Sequence, residues 1–440
     1  MGSEWPLVRL GDVVDLTTGF PFASQQYTDD PTAPRLLRGD NVGQGAIRWD
    51  GAKRWPAPAA DGLDAYWLRE GDVILAMDRP WIEAGLKYAY VRQSDLPALL
   101  VQRVARLRGS DRLDTGFLRY VIAGRGFTDF VTGIQTGTAV PHISGGQIQG
   151  YRFPLPPLAE QRRIAGILSA LDDKIELNRL MSQTLESMAR ALFKSWFVDF
   201  DPVRAKSEGL DTGLPDEINN LFTDTVELSD WGEIPCGWQP TALGDLCEKP
   251  QYGFTASATD QAVGPRFLRI TDINKRPWIE WASVPYCEAS ETERRQYRVK
   301  PGDVLIARMA DPGHGVMIEE DTGAVFASYL IRFRPIDHRY DRFLQYWLRS
   351  DDYWSLVEGY RTGTTRASLN AQVLSAFRFV LPPPALADAF GIQVSALRSS
   401  LTRNVSESTR LSEARDQLLQ RLIGRVQSAR PDERIWEGQP

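Results

Sequence analysis

The sequence predicts an α+β protein with two tandem, strand-rich domains joined by two long helices that form an antiparallel coiled coil. Two stretches, 156–198 and 382–426, carry apolar residues at alternating steps of three and four, which is typical of amphipathic helices. The segment before each stretch repeats the same motifs in the same order. Because each apolar seam is narrow, it must be buried against another helix, and the chain supplies one.

The first long helix is predicted to begin at about residue 158. Pro156 and Pro157 precede it, and Glu160 lies in its first turn, where an acid suits the positive end of the helix dipole. Roughly 40 residues at about 1.5 Å each give a rod on the order of 60 Å long.

A shift of 226 positions places the first seam on the second, including Asn178 on Asn404 and Ser182 on Ser408. Two unrelated amphipathic helices would not explain these shared polar positions. An asparagine in a coiled-coil seam costs stability but fixes the register. The predicted seam consists of Leu168, Leu171, Ile175, Asn178, Leu185 and Leu192 in the first helix, and Val394, Leu397, Leu401, Asn404, Leu411 and Leu418 in the second.

The first globular domain is predicted to span residues 1–155. Gly71 and Asp72 form a turn signal before a short apolar run, which favours a buried strand. Residues 99–107 alternate apolar with basic side chains, which predicts a half-exposed strand. A helix around residues 117–122 and a glycine-bearing loop complete the domain.

The second globular domain, residues 236–381, repeats this order. The Leu-Gly-Asp motif at residue 243 matches that at residue 10, and the Gly-Asp-Val motif at 302 matches that at 71. The chain is therefore a tandem repeat of a domain followed by a long helix. Between the repeats we predict an acidic connector, 199–235, with one short helix around 218–222, and after the second helix a tail, 427–440.

The charge distribution constrains the possible ligands. The chain carries a net charge of −6, but residues 1–155 hold 17 basic and 17 acidic side chains and residues 236–381 hold 18 of each. The excess acid lies in the connector. Phosphate contacts must therefore come from local basic clusters or from partner subunits.

The cysteines and the hydropathy indicate the compartment. Three cysteines without a Cys-x-x-Cys pair predict a reducing compartment, with neither a disulfide framework nor a zinc site. The sequence has no signal-peptide pattern and no run of 18 apolar residues, so we expect a cytoplasmic protein without membrane contact.

Two like domains held on paired helices favour a measuring function. A rod of fixed length that presents two related surfaces suits DNA, which repeats about every 34 Å. Each domain would then read a different short sequence on either side of an unread spacer. A pseudo-symmetric scaffold without a ligand is the alternative.

The candidate DNA contacts lie in polar loops. Glycines let the backbone approach phosphate, and hydroxyls and arginines bond to phosphates or bases. The alternative for the threonines is that they only cap or turn the chain. Arg79 and Arg308 follow the matched Gly-Asp-Val strands and either enter a groove or pair with Asp78 and Asp311. The loop candidates are Thr136, Thr138, Arg361, Thr362, Thr364 and Arg366.

Catalytic motifs are absent from the sequence. It has no Asn-Pro-Pro-Tyr methyltransferase motif and no phosphate-binding loop of the G-x-x-x-x-G-K-[ST] type. Its three histidines show no metal-ligand spacing. We therefore predict neither a catalytic nor a metal site.

Several motifs resemble those of type I restriction–modification specificity (S) subunits. Residues 155–161, LPPLAEQ, look like the start of that family's first conserved central region, and residues 197–206, FVDFDPVRAK, are similar to the segment that follows it. Residues 232–238, GEIPCGW, resemble the entry into a second target recognition domain. The second copy departs from the pattern, because residues 383–389, PPALADA, lack the Glu-Gln pair.

The resemblance implies a non-catalytic subunit that reads a bipartite DNA site in a prokaryotic phage-defence system. It also implies partners: two methyltransferase subunits that use S-adenosylmethionine, and motor-nuclease subunits that use ATP and magnesium. The alternatives are a self-contained nuclease and a DNA-independent protein-binding scaffold.

Overall fold

The computed structural model describes residues 5–56, 60, 62–82, 84–134, 141–230, 232–274, 276–361 and 369–427. The described chain divides into two compact units. One contains the residues up to Glu176 together with those from Arg410 onwards, and the other is Leu177–Thr409. Each unit therefore combines a globular domain with parts of both long helices.

The described residues of the first domain form ten short strands and three α-helices. The strands are β1 (Leu7–Arg9), β2 (Val14–Thr18), β3 (Arg35–Leu37), β4 (Val73–Ala76), β5 (Trp81–Ile82), β6 (Gly85–Leu86), β7 (Tyr88–Tyr90), β8 (Ala98–Leu100), β9 (Val104–Gly109) and β10 (Arg152–Pro154). The helices are α1 (Thr115–Ala123), α2 (Arg125–Ile134) and α3 (Gly145–Gln149).

The core of this domain is a four-stranded antiparallel sheet in the order β2-β9-β4-β7. Every residue of β4 is buried, as its uninterrupted apolar sequence requires. Outside the sheet, β3 pairs with β8 in parallel and β1 pairs with β10 antiparallel. The pairing of β1 with β10 joins the two ends of the domain next to the first long helix.

The two long helices follow the two domains. Helix α4 is Leu158–Phe197 and helix α13 is Pro384–Gln427. In the first unit Asp172 of α4 accepts a hydrogen bond from Arg415 of α13 at 2.9 Å. In the second unit Asn178 donates to Glu407 at 2.8 Å, and the Phe193 and Phe390 rings lie 5.9 Å apart. Residues later in α4 contact residues earlier in α13, so the helices run antiparallel. The predicted fold class is confirmed.

The segment between α4 and the second domain is more structured than predicted. It forms helices α5 (Asp201–Ser207) and α6 (Asp216–Asn219) and the hairpin β11 (Val226–Ser229) and β12 (Gly232–Pro235). Helix α6 overlaps the start of the predicted 218–222, and helix α5 was not predicted. Val203 and Phe222 are buried in the same core as Trp196. The weak periodicity hid this packing because only isolated residues of the segment face the core.

The described residues of the second domain form eight strands and six α-helices before α13. The strands are β13 (Gln239–Ala242), β14 (Gln251–Tyr252), β15 (Phe267–Leu268), β16 (Val304–Ala307), β17 (Gly315–Met317), β18 (Val325–Phe326), β19 (Leu330–Phe333) and β20 (Arg378–Leu381). The helices are α7 (Leu243–Leu246), α8 (Ile270–Ile273), α9 (Glu291–Tyr297), α10 (Asp341–Trp347), α11 (Asp351–Arg361) and α12 (Ala371–Ser375).

The two domains share one topology. The second domain has a four-stranded sheet in the order β14-β19-β16-β17, a parallel pair β15-β18 and an antiparallel pair β13-β20. These correspond strand by strand to β2-β9-β4-β7, β3-β8 and β1-β10. The repeat seen in the sequence is thus a repeat of the fold.

A buried aspartate–arginine pair holds the turn before the central strand in each domain. Asp72 accepts hydrogen bonds from the Arg69 backbone and from Arg108, whose Nη2 lies 2.8 Å away. Asp303 likewise accepts from Arg334, with Nε at 2.6 Å and Nη2 at 2.8 Å. These aspartates are therefore structural residues of the turn.

One predicted strand is wrong. Residues 99–107 form the end of β8, a turn and most of β9 instead of a single half-exposed strand. Arg103 lies in the turn with a left-handed φ of 66°. Arg106 is only 4% exposed because it donates hydrogen bonds to Asp15 and Thr17 of the neighbouring strand β2.

Candidate nucleic-acid interface

In the first domain, Arg79 lies where the chain leaves β4. Its side chain is exposed and its φ of 44° is left-handed, a strained conformation for arginine. Its backbone N–H donates to Pro141 O at 2.7 Å, and Ile143 N–H donates to Met77 O at 2.9 Å. Arg79 is thus adjacent to the end of the predicted loop that contains Thr136 and Thr138, two residues that lie outside the described part of the chain.

Asp78 does not neutralise Arg79. Its carboxylate accepts a hydrogen bond from Arg103 at 2.8 Å and lies 2.6 Å from His142 Nδ1. Burial by itself would raise the pKa of Asp78, but the hydrogen bonds to His142 and Arg103 lower it, so the carboxylate is ionised. Among the residues that the structure describes, Arg79 makes no ion pair.

A cleft of ≈ 350 Å³ lies beside this turn. Four basic side chains line it, Arg38, Arg79, Lys87 and Arg103, against the carboxylates of Asp40 and Asp78. The aromatic rings of Phe22 and Tyr27 also line it. Burial lowers the pKa of Lys87; the Asp40 carboxylate opposes this effect, and Arg79 adds to it. Such a cleft favours an anionic ligand.

In the second domain, Arg308 directly follows β16. Its guanidinium lies 5.2 Å from the centre of the Tyr252 ring, a cation–π distance. Its backbone N–H donates to Tyr329 O at 3.0 Å, and its carbonyl accepts from Leu369 N–H at 2.9 Å. Arg308 is therefore adjacent to the end of the segment that contains Thr362, Thr364 and Arg366.

Those three residues lie outside the described part of the chain. Arg361 is the last residue of α11, and the structure does not describe its side chain. Asp311 hydrogen-bonds to Asn274 at 3.1 Å and lies 3.4 Å from His314, and the ion pairs of the described residues do not join it to Arg308.

The two arginines are not structural equivalents. The backbone of Arg308 makes two hydrogen bonds, and the backbone of Met77 makes the equivalent two in the first domain. The Met77 N–H donates to Arg103 O, and the Met77 carbonyl accepts from Ile143 N–H. Arg79 corresponds instead to Ala310, whose φ of 61° is also left-handed. The two domains thus place different side chains on the same backbone scaffold.

Sequence reasoning missed three members of this surface: Lys87, Arg103 and Tyr252. Arg103 and Tyr329 stand 226 positions apart, at the shared turn before β9 and β19, so the repeat offset was an available signal. Lys87 and Tyr252 carry no local signal, because they reach the site from other strands.

The predicted seam residues lie on the buried sides of α4 and α13. Leu168, Asn178, Val394 and Leu401 are buried, and the remaining eight are partly buried. The Asn178 amide bonds to Glu407 instead of Asn404. The eight partly buried residues are Leu171, Ile175, Leu185, Leu192, Leu397, Asn404, Leu411 and Leu418.

Within the described ranges, no group of three or more His, Cys, Asp or Glu side chains is arranged to hold a metal ion. No described helix is long and apolar enough to span a bilayer. The three cysteines are free, and burial raises the pKa of Cys247 to about 12 and that of Cys287 to about 11, so neither is a reactive thiolate.

Part of the chain matches a known protein family. Residues 2–187 match the type I restriction modification DNA specificity domain. The chain is 35% identical over 175 residues to the specificity subunit of the type I restriction enzyme EcoAI from Escherichia coli, an alignment that covers 39% of this chain and only 28% of that subunit. It is 26% identical over 325 residues to the HindI specificity subunit of Haemophilus influenzae, covering 64% and 70% of the two chains.

The fold agrees with a solved structure. The crystal structure of the S subunit of a type I restriction–modification system from M. genitalium superposes with a TM-score of 0.57 at 13% identity, covering 95% of this chain and 96% of that one. This likeness is one of fold. Residues 2–187 of the chain carry the match to the type I restriction modification DNA specificity domain.

Proposed function

We propose that this chain is the DNA specificity subunit of a type I restriction–modification system, and that its two domains read the two halves of a bipartite site. The observation that supports this most directly is the duplicated topology with different side chains at equivalent positions. Met77 corresponds to Arg308, and Arg103 to Tyr329. A common scaffold with different reading residues suits two different half-sites.

In the first domain, we assign DNA contact to the basic cleft and the adjoining loop. Arg38, Lys87 and Arg103 supply positive charge for phosphates, and the exposed Arg79 can reach a groove. Thr136 and Thr138 complete the proposed contact set. The domain is electrically balanced as a whole, so this local cluster provides the attraction.

In the second domain, the proposed contacts are Arg308 with the residues that flank it. The ring of Tyr252 holds the Arg308 guanidinium over its face and so orients it. Arg361, Thr362, Thr364 and Arg366 are the further proposed contacts, on the segment that follows α11. The lengths of α4 and α13 then determine the spacer between the half-sites.

The partners follow from the family. Two methyltransferase subunits would bind S-adenosylmethionine, and the motor-nuclease subunits would bind ATP and magnesium, so this chain would need no cofactor of its own and perform no catalysis. We place the complex in the prokaryotic cytoplasm, where it would protect the cell against phage.

Binding of the reconstituted complex to DNA tests this proposal. Arg79→Ala and Arg308→Ala should each weaken specific binding by about 1–3 kcal/mol for a base contact, or reduce the salt dependence by about one charge for a phosphate contact. Arg125→Ala is the control. This arginine is also exposed, it is paired loosely with Asp129 at 3.8 Å, and it does not line the cleft. Equal binding by all three variants would contradict the proposed contacts.

The isolated chain provides a second test. Incubated with DNA, S-adenosylmethionine and magnesium, it should neither methylate nor cleave. Either activity in the purified chain would favour the self-contained enzyme.

A further inference from the structure

Both long helices bury charged side chains, and in the first unit the acid is on α4. The Asp172 side chain is 8% exposed and accepts hydrogen bonds from three groups. Arg119 and Tyr120 of α1 donate at 2.7 Å and 2.8 Å, and Arg415 of α13 donates at 2.9 Å. The charge on α4 is thus negative, and α13 supplies a positive partner.

In the second unit the signs are reversed. The Arg398 side chain of α13 is 2% exposed and donates to Glu186 of α4 at 2.7 Å and to Glu319 at 2.5 Å. Glu186 also accepts from Arg349 at 2.6 Å and from Tyr346 at 3.1 Å. Burial alone would raise the pKa of Glu319, but the contact with Arg398 lowers it to about 2, so Glu319 is ionised at neutral pH.

These two clusters occupy equivalent places in the repeat. The 226-residue shift places Tyr120 on Tyr346, both of which donate to the buried acid of their cluster. It also places Asp172 on Arg398, so the charge at this point of the helix changes sign between the copies. In α4 the position equivalent to Arg415 is an alanine, Ala189.

A second copy of the same helix would not satisfy these charges. In the observed register Asp172 faces Arg415 and Arg398 faces Glu186. If α4 paired with another α4 in this register, Asp172 would lie within one turn of the copy's Glu186, acid beside acid. If α13 paired with another α13, Arg398 would face the copy's Arg415, base beside base. A two-fold dimer would contain each conflict twice.

The apolar seam does not make this distinction. The shift places Leu185 on Leu411, so the aliphatic layers of one helix could be replaced by those of the other, whereas the aromatic end of α4 falls on leucines. In a pair of two α4 helices Asp172 would keep Arg119, but Glu186 would lose Arg398, and a buried charge without its counter-ion is strongly unfavourable. The charged positions therefore discriminate between partners at layers where the aliphatic residues do not.

We infer that the buried charges of α4 and α13 are a pairing code: the seam of each helix accepts the other helix and rejects a second copy of itself. The consequence is that one molecule, or any exchanged assembly of its halves, carries one domain of each kind. This inference concerns helix pairing alone and does not depend on DNA recognition.

The test uses the full-length chain with a protease site inserted between Leu210 and Asp211. Leu210 is 59% exposed and the neighbouring Gly209 is also exposed, so cleavage there leaves the core intact. The cut protein is an amino-terminal piece that carries α4 and a carboxyl-terminal piece that carries α13. Two preparations, one with a mass tag on the amino-terminal piece, are mixed in enough urea to allow exchange and returned to buffer.

Native mass spectrometry then counts the pairs. Exchange itself is visible as tagged amino-terminal piece bound to untagged carboxyl-terminal piece. We expect mixed pairs to exceed pairs of two amino-terminal pieces by at least about tenfold, since like-charge contacts are costly and each 1.4 kcal/mol is a factor of ten. Statistical amounts of like pairs would overturn the inference.

A double variant tests the assignment to charge. Glu186→Ser with Ala189→Arg copies onto α4 the residues that α13 carries at Ser412 and Arg415. We expect amino-terminal pieces with this change to pair with each other and to lose preference for the wild-type carboxyl-terminal piece. If they fold and still select only that piece, the charges do not set the pairing. The wild-type experiment decides the matter if they do not fold.

Discussion

Replacing Asp303 by asparagine probes the turn that positions the central strand of the second domain. The Asp303 side chain is 1% exposed and receives two hydrogen bonds from Arg334, at 2.6 Å and 2.8 Å, and one from the Lys300 backbone at 2.8 Å. Asparagine keeps the shape but removes the charge. Breaking one side of a buried ion pair costs about 3–5 kcal/mol, because the remaining charge is left without its counter-ion.

Hydrogen exchange of peptides from β16 and β19 measures this cost locally. A loss of about 3 kcal/mol corresponds to exchange roughly 100-fold faster in these strands. Asp321→Asn is the matched control in the same unit. Asp321 also receives two bonds from one arginine, Arg298, at 2.8 Å and 2.7 Å, but both side chains are nearly half exposed. It should leave exchange in these strands nearly unchanged, because exposed ion pairs contribute little to stability. Equal effects of the two substitutions would refute the argument from burial.

Three further predictions concern other parts of the structure. Burial raises the pKa of Asp341 from 3.8 to about 6, so the folded state binds this proton more tightly and the free energy of unfolding falls as pH rises from about 4 to about 6. Asp341→Asn should remove up to about 2 kcal/mol of this fall, measured by urea unfolding. Parallel pH profiles of the variant and the wild type would contradict the prediction. Gly253→Ala should lower the melting temperature, because the added Cβ would overlap the Phe326 carbonyl. Gly166→Ala, on an open face of α4, should raise it by the equivalent of about 0.5–1 kcal/mol. A change of melting temperature in the same direction for both variants would exclude the steric explanation. Trp196→Ala should cost about 3–5 kcal/mol in calorimetry, since this ring is 2% exposed, and a loss below about 1 kcal/mol would show that the aromatic core is not stabilising.

The sequence was most informative where structure is governed by local periodicity. Helix α4 could be predicted because its apolar residues recur every three or four positions, and its observed bounds, Leu158–Phe197, agree with the predicted stretch. The repeat was recognisable because turn motifs such as Gly71-Asp72 keep their spacing to the buried strand that follows. These signals need no knowledge of distant contacts.

Distant contacts explain what could not be predicted. The burial of Arg106 depends on Asp15 in another strand, and that of Arg398 on Glu186, which lies 212 residues away. The basic cleft combines Arg79 with Lys87 and Arg103, from three separate turns. No window of the sequence brings these groups together, so the sequence identified the arginine nearest a recognisable strand and missed its neighbours.

Exchange of one domain tests the central claim most directly. Residues 1–155 would be replaced by the corresponding domain of another specificity subunit, and the complex expressed in cells whose methylated sites are then sequenced. If each domain reads its own half-site, one half of the bipartite motif will change while the other half and the spacer length are kept. If both halves changed, or neither did, the two domains would not be independent readers of DNA.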